Sequence, residues 1–200
     1  MTLTLLREST RHRLRQLGEH AALYGDGWEQ PQTAVQPLYV MESDALFVPL
    51  GVAAPPLYTT GAPAPWKLGA LGTVVAREIT HKVFGFADSR EQLTTPEPPC
   101  FPNASLAYAF AVQAAYTALN LAFHERDTVI AKQRLRGLER FRDGQLLFLA
   151  SCFTLCNADG DEAARNEVLC NEAVRNNRGF GKWFLCPQNS PMNPKDKCSF

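Results

Sequence analysis

The chain has no surplus of charge. Twenty basic and twenty acidic residues cancel to a formal net charge of zero. Nothing in that balance calls for nucleic acid or an acidic membrane surface as partner. The first residues do not read as a secretory leader. Met1 to Leu17 carries Arg7, Glu8, Arg11, His12, Arg13 and Arg15, with no apolar stretch between them, so this segment is no signal peptide. There is no internal repeat and no low-complexity tract. No paired CxxC spacing is present, which argues against a zinc knuckle. Histidine is scarce, with four in 200 residues.

The remaining composition is that of a folded domain. Hydrophobic residues make up 46% and charged residues 20%, which excludes disorder. Two hundred residues fit one domain, 1–200, with a core of useful size. Six cysteines, at 100, 152, 156, 170, 186 and 198, favour an oxidising compartment. Asn103-Ala104-Ser105 forms a glycosylation sequon. A cysteine-rich chain without a targeting segment is expected to have lost its front end or to come from a partial gene.

Patterning predicts mostly helix. A surface helix is expected over Leu3 to Leu23, ended by Gly25-Asp26-Gly27. Ala45 to Val48 reads as an edge strand before Pro49. Gly51 to Pro65 and Asp88 to Pro102 are Pro-rich and read as loops. Helices are expected over Leu68 to Val83 and Gln145 to Cys156. Ala104 to Phe123 has the length of a membrane span, but Gln113, Asn120 and several small residues mark it as a buried core helix. The basic run Arg126 to Arg142 is interleaved with Glu125, Asp127, Glu139 and Asp143. It reads as a solvated helix face, not a nucleic-acid patch. The tail from Cys186 is expected to be irregular.

The most informative stretch is Arg77-Glu78-Ile79-Thr80-His81. It lies one residue from the zinc-peptidase signature H-E-x-x-H. In the intact motif two histidines at i and i+4 bind Zn²⁺, and the glutamate acts as general base on the metal-bound water. Here Glu78 and His81 remain, but Arg77 takes the first ligand position. A guanidinium has no lone pair to donate and repels a cation. Without the metal, the water facing Glu78 stays far less acidic than a zinc-bound one, whose pKa falls to about 7. That gap of roughly 12 kcal/mol exceeds what a lone general base recovers.

Further motifs follow in order. They are Trp28-x-x-Pro31-Gln32-Thr33-x-Val35, Phe47-Val48-Pro49-x-Gly51 and Gly69 to Val75. Gly137 to Phe141 and Gln145 to Leu149 come next, with Cys156 closing that segment. The tail CPQNSPMNPKDKC runs from Cys186 to Cys198. Together these resemble the C-terminal, catalytic part of the neprilysin and endothelin-converting enzyme family of zinc metallopeptidases. The resemblance implies a mainly α fold with a small β component. That fold is the C-terminal part of a thermolysin-like (zincin) domain, without the N-terminal lobe. It also implies an extracellular or cell-surface setting.

The resemblance also marks which site positions differ. Pro102 stands where the family has its third zinc ligand, and Leu106 where an Asp orients a zinc-bound histidine. Gln36-Pro37 replaces the family's substrate-binding Asn-Ala, and Pro37 removes a backbone donor. Asp161 replaces the histidine that stabilises the oxyanion. The family's substrate-carbonyl arginine aligns with Glu167 or, after a two-residue shift, with Arg165. Glu78 is then a vestigial general base, and His81 is the surviving ligand position. His81 is expected to be a hydrogen-bonded core histidine, and Glu78 to pair with a nearby cation. His12, His20 and His124 read as surface residues.

The resemblance further implies a Cys100–Cys198 disulfide. It gives Cys156 and Cys186 partners in the N-terminal domain, and leaves the pairing of Cys152, Cys156, Cys170 and Cys186 open.

The expected function is therefore a non-catalytic homologue that binds peptides or a related peptidase, with no cofactor. The alternative is an active zinc endopeptidase with a rebuilt site, for instance from His81, His124 and Asp88. A fragment without a selected role is the third reading. An apolar surface normally covered by the N-terminal lobe is also expected.

Overall fold

The structure is a computed structural model that describes residues 34–40, 44–84, 103–124 and 133–198. The predicted Leu3 to Leu23 helix and the 88–102 loop lie outside these residues.

The described part is mainly helical, with a small two-stranded sheet. Strand β1 (Leu38–Val40) pairs antiparallel with β2 (Ala45–Phe47), with Tyr39 opposite Leu46. The second strand was legible as an apolar run, and its partner begins directly after Pro37. A turn-rich segment follows. It enters α1 (Ala64–Lys67), whose Pro65 sits in the first turn, where its missing N–H costs no hydrogen bond. The helix therefore starts before the predicted loop ends.

A five-residue π-helical segment (Leu68–Gly72) leads into α2 (Thr73–Phe84), the motif helix. Gly69 is required there. A β-carbon at this position would fall 2.8 Å from that of Ala150, and well inside contact distance of the Leu147 carbonyl oxygen. The missing side chain lets the π segment lie against α4 (Asp143–Phe153). Gly144 is closed in the same way by the Trp183 ring, and Gly179 by Tyr116.

Helix α3 (Asn103–His124) is the centre of the core. Tyr108, Val112, Ala115 and Leu119 are buried on it, and they meet Leu147 and Phe148 of α4. Among the described residues, this is the one helix long and apolar enough to cross a membrane, by length and composition alone. Its buried stripe and its packing on α2 and on α5 (Gly160–Asn176) give it a core role. Aromatic rings tie it to α6 (Arg178–Trp183): Tyr116 stacks on Phe148 at 5.5 Å, and Phe180 meets the edge of Phe148 at 5.4 Å.

Helices α5 and α6 were not foreseen, because α5 is mostly polar and α6 is only six residues long with two glycines. Their starts are nonetheless written locally. Asp159 Oδ1 accepts from the N–H groups of Asp161 and Glu162, and Asn177 Oδ1 accepts from Gly179 N–H at 2.8 Å. These satisfy first-turn donors that would otherwise be orphaned.

The basic run departs from expectation. Its described part, 133–142, is turn, not helix. Gly137 takes φ +85°, which breaks helical continuation, and its N–H donates to Glu139 Oε1. That bond holds the Glu139 carboxyl below the usual range. The charges are solvated as predicted, with Arg134 paired to Asp143 at 3.3 Å.

Cys152 at the end of α4 is bonded to Cys170 on α5. Cys156 and Cys186 are free thiols. Cys198 is disulfide-bonded, and its expected partner Cys100 lies outside the described residues. The tail is pinned by side chains: Cys198 N–H donates to Asn176 Oδ1 at 3.0 Å, and Lys197 Nζ to the Asn177 carbonyl at 3.2 Å. Large apolar side chains are exposed at Val35, Leu50, Val168 and Leu185.

Candidate functional site

The Arg77-Glu78 motif opens onto a cleft of about 210 Å³. One wall is α2, which presents Thr73, Arg77 and Glu78. The spacing explains this, because positions 73 and 77 lie one turn apart and share a face. The opposite wall is the segment Val35-Gln36-Pro37 that leads into β1. Tyr108 of α3 and Thr154, just past α4, close the floor.

That floor is a connected polar network. The Ser151 carbonyl accepts from Tyr108 Oη at 2.8 Å and from Thr154 Oγ1 at 2.7 Å. Thr73 Oγ1 and Ser151 Oγ share a buried hydrogen bond of 3.0 Å. The Ser151 hydroxyl also donates to the Leu147 carbonyl at 3.1 Å. Burial pushes the Tyr108 phenol well above its ordinary range; the Thr154 hydrogen bond and the nearby Arg77 cation oppose this. Tyr108 is therefore a neutral donor, not a base.

The rim carries charge. Arg77 is exposed and Glu78 half-buried. Neither has a salt-bridge partner among the described residues, so the expected pairing of Glu78 with a cation is not seen. Adjacent helical positions diverge, so the two do not neutralise each other.

The sequence-derived site residues divide into three groups. Arg77, Glu78, Gln36 and Pro37 come together in one cleft. Leu106 packs against the hydrophobic core, as an apolar side chain in that place should. Asp161, Arg165 and Glu167 lie exposed on α5 and do not line the cleft. His81 is on α2, but its side chain is outside the described residues, as are Pro102, Asp88 and the His124 side chain. Thr73, Tyr108 and Thr154 were not anticipated, because only the tertiary packing of three helices brings them to this floor.

No protein-family profile matches the chain. Individual proteins do. Neprilysin-11 of Caenorhabditis elegans is 24% identical over 210 residues, covering 82% of this chain and 24% of that protein. Endothelin-converting enzyme 1 of Bos taurus is 24% identical over 216 residues, covering 86% of this chain and 28% of that protein. This chain is similar to the neprilysin and endothelin-converting enzyme family. It spans between about a quarter and a third of the length of the curated relatives it matches. The fold is shared with the solved Haemonchus galactose containing glycoprotein complex, at a TM-score of 0.66 and 21% identity, over 84% of this chain and 33% of that one.

The family's zinc finds no donor set among the described residues, which exclude the His81 side chain and position 102. Among the described residues, no three His, Cys, Asp or Glu side chains converge on a point that could hold a metal ion. Arg77 brings a permanent cation to the cleft. Leu106 offers no electron pair.

Proposed function

We propose that this chain is a catalytically degenerate homologue of neprilysin-type zinc metallopeptidases that binds a peptide in the Arg77–Glu78 cleft without cleaving it. One observation carries the reading: Arg77 lines the cleft at the motif position where a zinc peptidase has its first histidine ligand. A guanidinium there blocks a cation and favours a carboxylate. Glu78 offers a matching acceptor to a peptide N–H or ammonium group. Gln36 adds a carboxamide on the facing wall. The cleft is thus suited to holding an amide backbone, and lacks the means to polarise it.

The disulfide supports an extracellular or cell-surface setting. A related peptidase is a second partner class of the same reading.

The test is elemental analysis of purified protein combined with a peptidase assay on a neprilysin-type peptide. The expected result is no stoichiometric zinc and no cleavage, with peptide binding that weakens in Arg77→Ala. Stoichiometric zinc with chelator-sensitive hydrolysis would overturn the reading and establish a working endopeptidase with a rearranged metal site.

A further inference from the structure

A second cavity, of about 650 Å³, lies between α6 and the tail, away from the motif cleft. Arg178 and Lys182 of α6 line it from one side, and Lys195 and Lys197 of the tail from the other. No aspartate or glutamate lines it. Arg178, Lys182 and Lys195 are exposed and have no acidic partner among the described residues. In a chain whose charges sum to zero, four cations on the lining of one cavity make a local excess of positive charge.

The arrangement is held in place. Lys197 donates to the Asn177 carbonyl, and Asn193 Nδ2 to the Cys186 carbonyl at 3.0 Å, so the tail cannot simply swing its cations apart. Burial holds the Lys197 ammonium below its ordinary range; the Cys186 sulfur opposes this, and the Arg178 guanidinium adds repulsion. Gln188 and Asn189 place carboxamides on the same wall. These can bond the neutral hydroxyls or ester oxygens of a ligand that carries anionic groups.

We propose that this cavity binds a small polyanion bearing phosphate or sulfate groups. Tetrahedral oxyanions accept several charge-assisted bonds at once, and an Arg with three Lys supplies those donors from two sides. A monocarboxylate would satisfy only part of the set.

Cys186, a free thiol on the cavity lining, provides the readout. In the Cys156→Ser background, alkylation of Cys186 by N-ethylmaleimide is followed by mass spectrometry. The probes are inorganic pyrophosphate and a sulfated heparin disaccharide, each against sodium chloride of equal ionic strength. Protection by either probe beyond the salt control is expected, and the stronger one identifies phosphate or sulfate as the source. The charge reversals Lys182→Glu and Lys195→Glu together should weaken that protection at least about tenfold, as for the loss of one or more charge-assisted contacts. Protection no greater than with salt would sink the proposal, and so would protection that survives both reversals. The thermal midpoint of the reversed protein, measured without ligand, shows that it remains folded.

Discussion

Gly69 and Leu147 touch backbone to backbone: the π segment before the motif helix lies so close to α4 that no β-carbon fits at position 69. Gly69→Ala should therefore destabilise the protein by about 2 kcal/mol through overpacking. Gly72→Ala, whose nearest neighbours would stand 3.7 Å away, should be neutral or gain roughly 0.5 kcal/mol from lost chain freedom. Paired urea denaturation curves measure both. Equal effects would mean that the close approach does not exist.

Tyr108 contributes to the loss of stability at alkaline pH. Its folded-state phenol lies above the ordinary value because burial disfavours the phenolate. Below about pH 10 the group is neutral in both folded and unfolded states and adds no pH dependence. Above that, the unfolded chain ionises first, and stability falls as pH rises. Tyr108→Phe should flatten this fall. At pH 7 it should cost roughly 1 kcal/mol for the hydrogen bond to the Ser151 carbonyl. Unfolding free energies at pH 7 and across the alkaline range, for both proteins, test it.

The covalent tie between Cys152 and Cys170 closes a loop with a sequence separation of 18. Chain-entropy estimates give about 3 kcal/mol for a loop of this size. The Cys152→Ala, Cys170→Ala protein should lose that order of stability by denaturant titration, while Cys156→Ser should lose little. A double mutant as stable as its parent would show that side-chain packing alone holds α4 on α5.

Arg77→His combined with Pro102→Glu returns two donor types to the positions that the family resemblance assigns to ligands. Together with His81 this completes the three-ligand count of a catalytic zinc site. Zinc titration by calorimetry should show one site in the double variant and none in the parent. Failure to bind would indicate that the backbone no longer brings these positions together.

Much of the fold was legible, for a physical reason. Residues 104–123 and 145–156 are almost continuously apolar, so the helices that form the core announce themselves. Helix α5 is mostly polar and α6 is short with two glycines, so their caps, Asp159 and Asn177, are what mark them. The run around Gly137 misled because charge spacing resembles a helix face while the glycine demands a turn. The cleft's charged rim was readable from one motif, since 77 and 78 are neighbours in sequence. Its floor was not, because Tyr108, Ser151 and Thr154 meet Thr73 only through packing between three helices.

The π segment fits one more residue into a turn than an ordinary helix does. Each residue of a helix advances the chain by about 100°. Deleting one residue between Leu68 and Gly72 would let an ordinary helix run through and leave the Arg77–Glu78 rim close to its present direction, because the i→i+5 turn already takes up that extra residue. A deletion just past Gly72, in the regular turns of α2, would instead rotate the rim by about 100° and aim it past its cleft.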